Sequence, residues 1–199
     1  MRDTTMTEAR ETVIAVRNLH IRFPVNGGAE TVKAVDGVDF SVLDGETFGI
    51  IGESGSGKTT IGRALAGLLE PTEGDILYEG EDLRRLSRKA YRERRRHYQI
   101  IFQDPNASLN PRKTILESLL EPMVIKGGMS REEMRRKAME SLDRAGLRAD
   151  LAERYPHQLS GGQKQRVNIA RILPLEPKFV VCDEVVAALD VSIRGEILN

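Results

Sequence analysis

Gly52-Glu53-Ser54-Gly55-Ser56-Gly57-Lys58-Thr59 is the stretch that decides the fold of this 199-residue chain. It fits the pattern G-x-x-x-x-G-K-[ST], in which glycines let consecutive backbone N–H groups turn inward around a polyphosphate. The pattern carries weight only between a strand and a helix, and both are read on its flanks. Upstream, Thr47-Phe48-Gly49-Ile50-Ile51 is a compact apolar run expected to be a buried strand; downstream, Lys58 to about Leu69 has a helical pattern. That helix directs its positive end at the same anion. Lys58 is then expected to reach the β and γ phosphates, and Thr59 to offer its hydroxyl to Mg²⁺. A chance match in a chain of average composition is on the order of 1%, and the strand–loop–helix context lowers it further.

Outward from this unit the chain reads as α/β. Residues 1–11 form a polar tail, and Val13 to Val16 is a strand. Val32 to Val42 continues in the same style, with Asp36-Gly37 and Asp44-Gly45 supplying turns between antiparallel strands. Glu73 to Gly80 reads as one strand of a hairpin, and Tyr98 to Phe102 as another, buried one. Between 104 and 158 the pattern becomes helical. Lys113 to Lys126 and Ser130 to Ala145 are separated by Gly127-Gly128, and Ser130 with Glu133 makes a capping box. This region reads as a helical insertion in an α/β core. A third helix runs from Ser160 to about Ile172, before Pro174; Lys178 to Cys182 is the last clear strand, and Ser192 to Asn199 begins a helix.

Thirty basic side chains stand against 30 acidic ones, which argues against a general electrostatic affinity for nucleic acid. The single cysteine, Cys182, excludes a disulfide framework and fits a reducing compartment; its place inside an apolar strand reads as buried filler. No apolar run approaches the roughly 20 residues that cross a bilayer, and Met1 to Arg10 is polar rather than signal-like. From Arg84 to Arg96 there are eight basic residues and one acid, Glu93. Without base-stacking or groove-reading motifs nearby, this run reads as a solvated helical face. His20, His97 and His157 show no metal-ligand spacing.

Phe179-Val180-Val181-Cys182-Asp183-Glu184 is an apolar strand ending in two carboxylates. In a parallel sheet that end faces the ligand crevice. Asp183 is there to hold Mg²⁺, and Glu184 to orient and deprotonate an attacking water. Leu159-Ser160-Gly161-Gly162-Gln163 then supplies a second helix N-terminus with a serine hydroxyl and glycine N–H groups able to meet a phosphate. At this point the sequence resembles the ATP-binding-cassette (ABC) ATPases, whose signature motif this is. The resemblance covers about Val13 to Asn199.

The resemblance implies a P-loop NTPase (RecA-like) α/β core with a parallel sheet, an N-terminal antiparallel β subdomain and an inserted helical subdomain. The ATP-binding domain then spans 12–199, with 104–158 as the insertion. Gly52, Glu53, Ser54, Gly55, Ser56, Gly57, Lys58, Thr59 and Thr60 are implied to bind ATP. Gln103, after the Tyr98 to Phe102 strand, matches the glutamine that contacts Mg²⁺ and the attacking water and links core to helical subdomain. Thr59, Gln103 and Asp183 are thus the implied metal ligands, and Lys58, Gln103 and Glu184 the catalytic residues. Phe23 sits where an aromatic ring stacks on adenine, although a core role is open to it. Ser160, Gly161, Gly162 and Gln163 are implied to close over ATP held by a partner subunit, so that two cassettes dimerise head to tail, as a homo- or heterodimer. Asp190 matches the aspartate loop that crosses that interface.

Phe102-Gln103-Asp104-Pro105-Asn106-Ala107-Ser108-Leu109-Asn110-Pro111-Arg112 looks like the version in the ATPases of oligopeptide, dipeptide and nickel importers, as does Tyr155-Pro156-His157-Gln158. In those systems the region after the glutamine receives the coupling helix of the membrane permease. The implied partners are integral membrane permease subunits and, indirectly, an extracytoplasmic substrate-binding protein, with no nucleic acid. The implied location is the cytoplasmic face of the inner membrane, as a peripheral subunit.

Some positions depart from the family pattern. Val185 replaces a proline, Ala187 replaces a serine, and Pro174 falls where the signature helix normally continues, removing an N–H. The expectation is that ATP binding survives while hydrolysis is reduced, and a binding-only cassette stays open as a reading. So does a soluble cassette acting on ribosomes or nucleic acid, which usually shows two cassettes or a long coiled-coil insertion. The family also places a γ-phosphate-contacting histidine beyond a further strand, so the expectation is a C-terminally truncated chain lacking the last core strand.

Overall fold

The computed structural model describes residues 10–183 apart from 26, 28 and 29. Glu184, Val185, Ala187, Asp190 and the helix expected from Ser192 lie outside the described residues. The chain divides into two compact units, Met1–Tyr91 and Arg92–Asn199.

The first unit is built on an antiparallel sheet of order β2-β1-β3-β4. A long hairpin joins β1 (Thr12–Val25) to β2 (Glu30–Leu43). Ile14 and Val16 are buried, and so are Leu19 and Ile21. A strict period of two would put the second pair on the opposite face from the first. The offset is absorbed by a bulge in which Arg17 and Asn18 together oppose Asp39, between the pairs Val16 with Phe40 and Leu19 with Val38. Asn18 takes φ 45° and its N–H donates to Asp39 Oδ1 at 2.9 Å. Asp36-Gly37, expected as a turn between strands, is instead a second irregularity inside β2: Gly37, at φ 75°, is skipped between the pairs Leu19 with Val38 and His20 with Asp36. The same glycine chemistry serves a turn or a bulge, and the pairing with β1 decides which. Asp44-Gly45 is a turn as expected, with Glu46 N–H bonded to Leu43 O at 3.1 Å.

Next to the bulge, β3 (Glu73–Tyr78) pairs antiparallel with β1. Gly74 is required there: at φ 84°, a β carbon would lie 2.1 Å from Asn18 O and 2.5 Å from Arg17 O. Glu79-Gly80 then turns the chain into the short β4 (Glu81–Asp82). Asp82 caps the 3₁₀ turn Leu83–Arg85 by accepting from Arg84 N–H at 2.9 Å.

The expected strand at Thr47 to Ile51 has no strand pairing among the described residues, and Ile51 is 97% exposed. A strand exists only through its ladder partner, and none of the described strands takes this segment; Phe48 instead stacks on Phe40 of β2, with ring centroids 5.0 Å apart. Helix α1 (Lys58–Leu65) follows the glycine-rich loop and buries Ile61, Ala64 and Leu65. The basic run divides in two. Arg84 is held in an ion-pair network with Asp82 and Asp75, each at 2.8 Å, whereas α2 (Arg88–Arg95) buries no residue and is a solvated face.

In the second unit β5 (Tyr98–Ile101) runs parallel to β6 (Phe179–Cys182), in register from Tyr98 with Phe179 to Ile101 with Cys182. The Glu73 to Gly80 strand and the Tyr98 strand are therefore not partners in one hairpin. Cys182, expected to be buried, is exposed, because the edge of this two-stranded pair is uncovered at its last residue among the described residues.

Asp104 caps the single turn α3 (Pro105–Ser108) through Asn106 N–H at 2.8 Å. Three helices follow: α4 (Ile115–Lys126), α5 (Arg131–Arg144) and α6 (Gly161–Ile172). Their apolar faces meet in one core, where Ile115, Leu119, Met123, Ala138, Leu142, Val167 and Ala170 are all fully buried. Thr114 and Glu117 form a complete capping box on α4. On α5 only half of the expected box is made, Ser130 Oγ accepting from Glu133 N–H at 3.1 Å. As expected, α6 stops at Ile172; Pro174 is buried in the 3₁₀ turn Leu173–Leu175.

Candidate nucleotide site

In the first unit the loop of residues 52–57 leads into α1 through Gly57, at φ 89°. A β carbon at Gly57 would lie 2.2 Å from Ala34 O of β2, so glycine is demanded both by the left-handed backbone and by the close approach. No side chain caps α1. The first amides of a helix have no intrahelical acceptor, and the end of α1 therefore presents backbone donors and the positive end of its dipole to the loop. Lys58 Nζ sits over that loop. It donates to Gly52 O at 2.9 Å and Glu53 O at 2.6 Å, with Ser56 Oγ at 3.4 Å. Ser56 N–H bonds to Glu53 O at 3.2 Å and closes the turn. Residues 52–56 are exposed, and Gly57 to Thr60 half-buried. These features fit a polyphosphate: glycine keeps side chains out of the cradle, and one cation is held at its rim. Phe23, on β1 opposite Val32, is 38% exposed, which excludes a core role for its ring.

In the second unit Gln103 and Asp183 share one end of the parallel pair. Gln103 is exposed two residues beyond β5, and Asp183 follows β6, its N–H donating to Ile101 O at 3.0 Å. The strands are parallel and in register, so their C-terminal ends, and the polar residues after them, lie side by side. Gln103 and Asp183 offer an amide oxygen and a carboxylate at this end of the pair, and Thr59 a hydroxyl in the first unit; each is a hard oxygen donor of the kind Mg²⁺ takes.

The start of α6 differs from the start of α1. Ser160 Oγ accepts from Gln163 N–H at 3.2 Å, and Gln163 Oε1 accepts from Ser160 N–H at 2.9 Å. The serine oxygen is thus engaged in a capping box, while its hydroxyl hydrogen and the N–H groups of Gly161 and Gly162 have no acceptor among the described residues and can meet a ligand. A β carbon at either glycine would meet nothing within 4 Å, so the surface there is open.

Sequence reasoning passed over three polar side chains on α6 that reach the segments flanking Gln103. Lys164 Nζ donates to Asn106 Oδ1 at 2.8 Å, Gln165 Nε2 lies 3.5 Å from Phe102 O, and Arg171 Nη1 donates to Ser108 O at 2.6 Å. Their signal was present as helical spacing, Lys164 and Arg171 standing seven positions apart with Gln165 beside the first, on a helix whose other face is apolar.

A family model described as "ABC transporter" matches residues 35–187. The oligopeptide transport ATP-binding protein AppF of Bacillus subtilis (strain 168) is 47% identical over 201 residues, covering 98% of this chain and 61% of that protein. The oligopeptide transport ATP-binding protein OppF of Escherichia coli (strain K12) is 44% identical over 202 residues, covering 98% and 60%. This chain thus spans about 60% of the length of these relatives. Among solved structures, the dimeric post-hydrolysis state of the ATP-binding cassette MJ0796 bound to ADP and Pi superposes with a TM-score of 0.81 at 35% identity, covering 92% of this chain and 79% of that one. A phosphate-type loop before an uncapped helix, polar residues at the end of a parallel strand pair, a signature sequence opening a second helix, and these likenesses converge: the chain belongs to the ABC transporter family.

Proposed function

We propose that this chain is the ATP-binding and ATP-hydrolysing subunit of an ABC importer of di- or oligopeptides. The observation that carries the reading is the uncapped start of α1 behind Gly57, with Lys58 held over the loop. The names of AppF and OppF, oligopeptide transport ATP-binding proteins, support the substrate class, and the dimeric cassette with ADP and Pi supports a two-subunit arrangement.

In this reading residues 12–199 are one ATP-binding domain with 104–158 inserted, and the backbone amides of residues 52–60 bind the phosphates. Lys58 exchanges its loop carbonyls for β- and γ-phosphate oxygens, and the ring of Phe23 stacks on adenine. Thr59, Gln103 and Asp183 hold Mg²⁺, which when bound neutralises charge on the phosphates. Gln103 also positions the attacking water, and Glu184 takes its proton. Ser160 to Gln163 meet the nucleotide of a partner cassette, homo- or heterodimeric, with Asp190 crossing the interface. The subunit sits on the cytoplasmic face of the inner membrane, against permease subunits in other chains that receive substrate from an extracytoplasmic binding protein.

Calorimetric titration with MgATP tests the reading. Lys58→Ala should weaken binding about 10- to 100-fold through loss of charge-assisted hydrogen bonds and abolish hydrolysis, with the melting temperature unchanged. Retained affinity in that variant, or no binding by the natural chain, refutes ATP binding at this loop. Unchanged uptake of a labelled tripeptide by cells lacking the gene refutes the importer assignment.

A further inference from the structure

Pro122 lies inside α4 and has no N–H, so the carbonyl four residues earlier, Ser118 O, loses its intrahelical donor. Ser118 is buried, and a buried carbonyl needs a partner. That partner comes from another helix: Arg171 Nε, on α6, donates to Ser118 O at 3.2 Å. The same guanidinium uses Nη1 to hold Ser108 O at 2.6 Å, at the end of the turn that follows Gln103, and places Nη2 3.8 Å from the Glu121 carboxylate. Glu121 in turn accepts from Lys113 Nζ at 2.8 Å. One side chain of the helix that begins with the signature thus ties together α4, α6 and the segment after Gln103, and Lys164 adds a second tie to that segment through Asn106 at 2.8 Å. Burial pulls the Arg171 guanidinium below its ordinary pKa while Glu121 opposes the shift; arginine remains charged under these pressures.

We propose that Arg171 is a positioning residue, whose fork uses the carbonyl vacated by Pro122 to lock the segment after Gln103 to the signature helix, so that the two move as one piece during the ATPase cycle. The planar fork suits this because its donors reach two carbonyls and a carboxylate in fixed geometry, which an ammonium cannot do. Pro122 and Arg171 are functionally a pair although 49 residues apart. The coupling part of the proposal rests on the proposed ATPase function; the tie itself does not.

The test uses the chain of residues 1–199, with amide hydrogen exchange of residues 106–110 in nucleotide-free protein and steady-state MgATP kinetics. Arg171→Met should raise exchange there about tenfold and lower kcat about tenfold by misplacing Gln103, with KM within about twofold because Lys58 and its loop are untouched. Arg171→Lys should recover only part of both effects. Pro122→Ala keeps the test informative if Arg171→Met does not fold. It gives Ser118 O an intrahelical donor and relieves the helix of a proline, so it should raise thermal stability yet loosen residues 106–110 and lower kcat. A purely structural Arg171 predicts the same gain in stability for that variant but unchanged exchange and turnover, and that result overturns the proposal. A folded Arg171→Met with unchanged exchange, or with KM and kcat altered in proportion, also overturns it. Absence of ATP hydrolysis by the natural chain refutes the function proposed above, while the exchange arm still decides whether the tie exists.

Discussion

Replacing Gly57 with alanine separates two reasons for a glycine at the start of α1. Gly55 and Gly57 both have φ near +85°, at 81° and 89°. An L side chain in this region costs about 1–2 kcal/mol, partly offset by the about 0.4–1 kcal/mol that alanine gains by restricting the unfolded chain. Those two contributions are common to Gly55→Ala and Gly57→Ala and cancel in their difference. What differs is space: a β carbon at Gly55 meets nothing within 4 Å, whereas at Gly57 it lies 2.2 Å from the Ala34 carbonyl oxygen. Backbone cannot swing aside as a side-chain tip can, so β2 or the start of α1 must shift, at about 1–3 kcal/mol. Gly57→Ala should therefore be less stable than Gly55→Ala by about 1–3 kcal/mol. In urea this is a lower midpoint by on the order of 1 M for ordinary m-values. Equal losses in the two variants, or a larger loss at Gly55, would show that packing of the loop against β2 does not fix Gly57 and would refute the reasoning.

Thr114→Ala removes the acceptor for Glu117 N–H in the capping box of α4 and should lower stability by about 1 kcal/mol, measured by urea denaturation. Leu119→Ala empties a fully buried site among α4, α5 and α6, at about 2–5 kcal/mol, visible as a lower melting temperature. Asp82 carries a pH dependence: its side chain is only 5% exposed, and hydrogen bonds from Arg84 hold its carboxyl below the ordinary value of 3.8. A lowered folded-state pKa gives stability that is present above the unfolded value and lost as pH falls through the folded one. Unfolding midpoints taken between pH 6 and pH 2.5 should show this loss below about pH 4, and Asp82→Asn should lack that component.

What the sequence made legible was local. The phosphate loop, the ends of α4 and α6, and the strands at 98 and 179 depend on glycine freedom, capping residues and apolar runs within a few positions of each other. Pairing was less legible. Asp36-Gly37 has turn chemistry, yet it lies within β2 because Leu19 and His20 of β1 continue the ladder on either side of Gly37. The apolar run at 47–51 has strand composition, but composition names no ladder partner. Cys182 shows the same limit, since burial of a strand residue depends on what covers the sheet. The ties from Arg171 were hidden for another reason. A proline and an arginine 49 residues apart carry no mark of each other in the sequence, and only the crossing of α4 with α6 brings the vacated carbonyl to the guanidinium.

The two helix starts, both read from sequence as able to meet a phosphate, are physically different. At α1 the residue before the helix is a glycine that has no side chain to offer, so an anion brings the amides of the first turn partners that no capping residue supplies. At α6 the Ser160 and Gln163 box already satisfies two backbone donors, one in each direction. An anion arriving there gains the Ser160 hydroxyl proton and two glycine amides but little relief of unmet hydrogen bonding. The start of α1 is therefore the better suited to hold a phosphate unaided, and the start of α6 to add a few contacts to a phosphate held elsewhere. Under the proposed function this asymmetry sets an order: nucleotide binds first at Lys58 and its loop, and Ser160 engages afterwards, when the partner cassette brings its own nucleotide to α6. It follows that Ser160→Ala, which removes the hydroxyl, should leave the affinity of the isolated subunit for ATP unchanged while weakening nucleotide-driven dimerisation. Calorimetry and sedentation of the same preparations by analytical ultracentrifugation would separate the two, and a loss of ATP affinity in the monomer would refute the order.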